Sequence, residues 1–182
     1  ASAVALTDKN SVGGFMQLSR AADKHKDKGF KPIYGVQINC LIEKDNPALI
    51  TLLVKNQTGL RNMYKIITTG YMNLEETDSW PCVSRQDVEN NRKGLLVGME
   101  LQWESLCGAG SSELEEEFRL ADYVGIRPWS ERPVAYNDGR TIDEVLLRED
   151  AARMIRLLDE LGKCPVAISG ANGITKEDEL CF

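Results

Sequence analysis

Histidine is almost missing from this 182-residue sequence, which has one, His25. Zinc, manganese and iron centres draw on several imidazoles, so the count weighs against a metalloenzyme. Cys-x-x-Cys is missing too. The five cysteines stand at 40, 82, 107, 164 and 181, dispersed and odd in number. That spacing speaks against a disulfide framework and fits free thiols in a reducing cytoplasm. No apolar run approaches the length of a membrane span, and no signal peptide is visible, so the expectation is a cytoplasmic chain with no membrane partner. Positive charge is in deficit: 22 Lys and Arg against 28 Asp and Glu give a net charge of −6. An acidic surface repels phosphate backbones, so the chain by itself is a poor nucleic-acid binder. The one basic run, "KHKDKGFK", reads as a solvated helix end. A starting methionine is also absent, which suggests a fragment of a larger chain.

What is present is ordinary: 42% apolar and 27% charged residues, enough for one sizeable core. Residues 1–182 read as a single domain, because strand and helix signals alternate about six times without interruption. Strands are expected over residues 3–7, in "GFKPIYGVQINCLI", in the continuous apolar run "NPALITLLVKN", in "GLLVGM", in "DYVGIRP" and in "CPVAIS". Helices are expected over 11–28, capped by Ser11 with Phe15, Leu18 and Ala22 on one face, and over "NQTGLRNMYKIITTGYMN". The latter is read as capped by Thr58, with a stripe of Leu60, Met63, Tyr64, Ile67 and Tyr71. Ser84 caps a short helix, "ELEEEFRLA" is a brief acidic one, and a long helix from Thr141 turns Leu147, Ala151, Met154, Ile155, Leu158 and Leu161 to one side until Gly162 stops it. The alternation argues for α/β architecture with a mostly parallel sheet, open or closed into a barrel.

In such sheets reactive groups collect where strands end. The ends offer Thr7, Asp8 and Lys9; Gln37 and Asn39; Gly98, Met99 and Glu100; Gly125 and Arg127; and Ser169 to Gly173. Asp8 with Lys9 is either a carboxylate–amine pair for acid–base work or a strand-end turn or cap. "GLLVGME" and "SGANG" lack the spacing of phosphate loops and read as turns. Ser169 has no histidine near it in sequence, so a serine triad is not expected. Trp80, Trp103 and Trp129 lie in or beside loops and read first as lids on the core.

The segments "AVALTDKN", "KPIYGVQIN", "LLVKNQTGLRNMYKII", "VSRQDVENNRKGLLVGM", "DYVGIRP" and "LDELGKCPVAISGANGITKEDEL" resemble, in order and spacing, the PHP (polymerase and histidinol phosphatase) domain of bacterial DNA polymerase III alpha subunits of the PolC type. "KNQTGLRNMYKII" is the most specific part. The resemblance implies a distorted TIM-like (β/α)7 barrel, here incomplete at the N-terminus because the family's opening His-x-His strand has no counterpart. In many PolC-type polymerases a proofreading exonuclease is inserted in this domain; here "LIEKDNPALITLL" joins the halves directly.

Active members of the family hold divalent metals at the strand ends with histidines and carboxylates. This sequence departs from that pattern. Thr-Asp-His-Gly stands as Thr7-Asp8-Lys9-Asn10, the glutamate after Tyr-Gly-Val is Gln37, and an acidic position in "DYVGIRP" is Gly125. The closing Thr-Gly-Asp/Asn-Val-His is Ser169-Gly170-Ala171-Asn172-Gly173. The positions Asp8, Lys9, Gln37, Glu100, Gly125, Ala171 and Gly173 therefore read as a vestigial site, with Lys9 neutralising Asp8 and Glu100 in place of a metal. No catalytic residue, metal or cofactor is expected. The resemblance implies a non-catalytic scaffold within a polymerase chain active in DNA replication, a DNA-directed DNA polymerase and nucleotidyltransferase. Its partners would be the remaining domains of that chain, a proofreading exonuclease or another replisome protein, with DNA reached only through the parent polymerase. The alternative is a metal-dependent phosphoesterase or 3'-5' exonuclease completed by a preceding segment, with Asp8 and Glu100 as ligands.

Overall fold

A computed structural model of the chain describes residues 2–43, 46–74, 80–100, 116, 118–126 and 144–168. The elements run β1 (Ala3–Lys9), α1 (Phe15–Lys24), a 3-10 turn (Lys26–Lys28), β2 (Lys31–Glu43), β3 (Asn46–Val54), α2 (Gln57–Met72), β4 (Cys82–Ser84), α3 (Arg85–Asn90), β5 (Leu95–Glu100), β6 (Tyr123–Ile126), α4 (Glu144–Glu160) and β7 (Cys164–Ala167). The seven strands form one sheet in the order β1-β2-β3-β5-β6-β7, with β4 also paired to β2. β2 is long enough to hold β1 along its first half and β4 along its second, both in parallel. β3 runs antiparallel to β2 and β5, while the β5–β6 and β6–β7 pairs are parallel. The sheet curls into a half-barrel with helices alongside, an α/β arrangement of the TIM-like PHP kind, incomplete as expected.

Side chains alternate across a strand, and residues paired between strands share a face. Val36, Ile38 and Cys40 of β2, Ile50 and Leu52 of β3, and Val97 and Met99 of β5 all fall on one face and are buried. The helices cover that face: Phe15 of α1 packs on Tyr34 with ring centroids 5.0 Å apart, and Gly70 of α2 lies close against Val83 and Ile38. β3 is therefore half-buried with one inward row, not sunk on both sides as its continuous apolar run suggests.

The buried side of α2 is Gly59, Met63, Ile66 and Gly70. Tyr64 is 42% exposed and Tyr71 is exposed too, while Leu60 and Ile67 only flank the core. The expected stripe was thus rotated by about one residue. Small residues face the sheet because the helix approaches it closely. At Gly59 a Cβ would collide with the backbone carbonyl of Gly94, which itself sits at φ 82°. The N-cap is Asn56, whose Oδ1 accepts from the Gly59 N–H at 3.0 Å, rather than Thr58.

α1 begins at Phe15 without a side-chain cap. Ser11 instead accepts from the Gly13 N–H at 3.1 Å, a local turn that shortens the expected helix. Ser84 does cap α3, in a reciprocal box with Asp87. On α4, Met154 and Leu158 are buried as expected and Ile155 is exposed, while the side chains of Leu147 and Ala151 lie outside the described residues. Gly162 follows α4 at φ 65°.

Candidate functional site

The face opposite the helices is the concave one, and the β-registers lay a row of residues across it. Lys9 pairs with Gln37, Gln37 with Thr51, Thr51 with Gly98, and Gly98 with Tyr123. One step further along the strands, Glu100 pairs with Gly125 and Gly125 with Val166. Lys9, Gln37, Glu100 and Gly125, picked from four separate segments of sequence, therefore do share a surface. Ala171 and Gly173 lie outside the described residues, as do Trp103 and Trp129.

Asp8 does not join them. β1 continues in register through Lys9, so the two neighbours point to opposite faces. The Asp8 Oδ2 accepts from the Gly14 N–H at 3.3 Å, on the helix side, where a carboxylate suits the first turn of α1. The expected Asp8–Lys9 ion pair is thus corrected, and among the described residues Lys9 makes no ion pair with Glu100 either. The Lys9 ammonium instead stands over the Trp80 ring, 5.4 Å from its centroid. Trp80 is 59% exposed, so it is a surface residue and not a core lid.

The space on the concave face is taken up by side chains. The Tyr123 ring lies directly over Gly98, where any Cβ would overlap it, and the Thr51 side chain neighbours its hydroxyl. Burial pushes the Tyr123 phenol above its ordinary value, an effect the Thr51 side chain partly offsets. Ile168 fills the position over Gly125, its Cδ1 2.8 Å from where a Cβ would stand. Among the described residues no three His, Cys, Asp or Glu come together in a way that would hold a metal ion.

Just past Lys9, Asn10 turns the chain at φ 54°, in the left-handed region where the family pattern has glycine. Its N–H donates to the Gln37 carbonyl at 2.7 Å, and its carbonyl accepts from the Tyr71 hydroxyl at 2.9 Å. The side chain is 5% exposed, with neither amide atom partnered. Toward the ends of β2 and β4 the same concave face opens into a cleft of about 450 Å³, lined by Asn39, Leu41, Pro47, Asn73, Trp80 and Asp87 among others. Sequence reasoning named Asn39 as a strand end and missed Asn73, Asp87 and Ile168. The parity of Gly125, Val166 and Ile168 along paired strands is the signal that places Ile168.

The arrangement can be set beside known proteins. A PHP domain family model matches residues 1–122. The DNA polymerase III PolC-type of Thermotoga maritima is 31% identical over 137 residues, covering 72% of this chain and 10% of that protein. That of Clostridium perfringens is 29% identical over 171 residues, covering 91% of this chain and 12% of its own length. That of Bacillus subtilis is 26% identical over 146 residues, 76% of this chain and 10% of that protein. The chain spans about a tenth of the length of the curated relatives it matches. The family match over two thirds of the sequence agrees with the curled α/β sheet and with the strand-end positions that sheet gathers on its concave face, and the chain belongs to the PHP domain family.

Proposed function

We propose that this chain is a non-catalytic PHP domain within a larger PolC-type DNA polymerase III, a cytoplasmic replication enzyme, where it stabilises the polymerase and docks its other parts. The similarity to segments of PolC-type polymerases supports the parent. The donor set on the concave face supports the loss of catalysis. PHP enzymes hold divalent metals, and these residues do not fit such a cluster. Lys9 brings an ammonium where a lone pair is needed, Gln37 brings an amide in place of a charge, and Ile168 fills the space over Gly125. The last of these carries the most weight, because a hydrocarbon side chain in the ligand space excludes both the metal and a replacement carboxylate.

Glu100, half-buried beside Gly125, is the residue that favours the phosphoesterase alternative. Elemental analysis of the chain after dialysis against zinc, manganese and iron salts and then metal-free buffer separates the two. The scaffold reading expects well under one equivalent of each. One or more tightly held equivalents, together with hydrolysis of a phosphodiester that a chelator stops, would refute it.

A further inference from the structure

We propose that the cleft at the concave mouth receives an arginine side chain from a partner segment, which rests on the reading of the domain as a docking module. The cleft of about 450 Å³ is large enough for one long side chain and its flanking backbone. Three of its side chains, Asp87, Asn39 and Asn73, present acceptors without partners among the described residues. The Asp87 Oδ2 is used by the Ser84 N–H at 3.0 Å and the Ser84 hydroxyl at 2.6 Å, and Oδ1 accepts nothing among the described residues. The side-chain amides of Asn39 and Asn73 likewise have no partner among the described residues. Trp80 adds an exposed aromatic face. Three acceptors around an indole suit a guanidinium, which is planar, carries five N–H donors and stacks on aromatic rings.

Lys9 bears on the choice of ligand. Its ammonium already stands over the Trp80 ring, which shows that the ring takes a cation. Lys9 is exposed, so it can swing into water at little free-energy cost when a better-fitting cation arrives. The net charge of −6 draws a basic segment toward the surface and disfavours an acidic one. Leu41 and Pro47 on the cleft wall provide apolar contact for residues on either side of the arginine.

The test is calorimetric titration of the 182-residue chain with a blocked pentapeptide carrying arginine between two leucines. Matched peptides with glutamine or glutamate at the centre, and a nucleoside monophosphate, form the other arms. The arginine peptide should bind saturably, at least about fivefold more tightly than the glutamine peptide. Trp80→Leu and Asp87→Asn should each weaken it by about threefold or more. Lys9→Met removes the competing cation and should tighten it. Trp80 and Lys9 are both exposed, so these two variants leave the core intact, and the Lys9 variant reads a gain that unfolding cannot mimic. No preference for arginine over glutamine, tighter binding of the glutamate peptide or the nucleotide, or weaker binding by Lys9→Met overturns the proposal. Metal content measured on the same sample keeps the two readings apart. A metal-free chain that ignores arginine refutes the cleft assignment alone, whereas a stoichiometric transition metal removes the scaffold reading and this inference with it.

Discussion

Replacing Gly125 with aspartate restores the acidic residue of the family pattern and tests the proposal that side chains have closed the concave face at this position. The atoms in the way belong to Ile168: Cδ1 at 2.8 Å, Cγ2 at 3.2 Å and Cγ1 at 3.4 Å from the position of an added Cβ. A methyl group alone presses hardest on Cδ1, the flexible end of that side chain. Gly125→Ala should therefore be near neutral: an off-rotamer isoleucine costs about 1 kcal/mol, and removing a glycine from a strand returns a similar amount. Aspartate extends further. It must displace the isoleucine, at about 1–3 kcal/mol, and it leaves a carboxylate in a buried position without a partner, at about 1–3 kcal/mol more. The expected loss for Gly125→Asp is about 2–6 kcal/mol.

Urea unfolding reads this directly, because a slope of about 2 kcal/mol/M turns that loss into a midpoint shift of about 1–3 M. The decisive comparison is the double mutant with Ile168→Ala. If Ile168 occupies the ligand space, trimming it makes room for the aspartate, and the combined loss falls short of the sum of the single losses by about 1–2 kcal/mol. Strict additivity, or a Gly125→Asp variant as stable as the parent, would show that Ile168 does not fill the position and would remove the main support for a closed site.

Two further outcomes follow from the same structure. Asn56→Ala should cost about 1 kcal/mol because it removes the side-chain cap of α2, whereas Thr58→Ala should be close to neutral; the reverse order in urea midpoints would restore Thr58 as the cap. Burial, and secondarily the neighbouring Cys82, pushes the fully buried Cys40 thiol up to about 12 from 9.0. A raised folded-state pKa means that the unfolded chain loses its proton first, so the contribution is intact below pH 9 and is lost as pH climbs from 9 toward 12. The parent should lose about 1 kcal/mol more than Cys40→Ala between pH 7 and pH 10, and equal losses would refute the assignment.

Strands and helices were legible because periodicity and punctuation are local. β5 and α3 came out as read, with Ser84 as the cap of α3, and the structure adds Asp87 as the other half of the box. The register of α2 was not legible. Its stripe was read from the spacing of the larger apolar and aromatic residues, so Tyr64 and Tyr71 were placed inward. The true inward row contains Gly59 and Gly70, and what makes glycine necessary at 59 is the backbone of Gly94, 35 residues away. The family motif Asn-x-Thr-Gly in this helix thus has a structural reason: Asn56 caps, and Gly59 lets the first turn touch the bend before β5. At the site, the identities of Lys9, Gln37 and Gly125 were readable, but the direction of Asp8 was not. Face parity depends on where β1 ends, and a one-residue extension reverses it.

That parity also explains how a PHP domain can keep its fold while residues on its concave face change. The residues that hold the sheet to the helices, Val36, Ile38, Ile50, Leu52, Val97 and Val124, lie on the helix-covered face, and Lys9, Gln37, Glu100 and Gly125 lie on the other. A substitution on the concave face alters the core only through the shared backbone, so Lys9, Gln37 and Gly125 could change without opening a cavity among the large buried side chains. Asp8, which faces the helices, keeps the acidic residue of the family pattern, and it has local work there at the first turn of α1. On the proposed reading, positions on the concave face drifted, and the acidic residue that supports a helix on the other face was held.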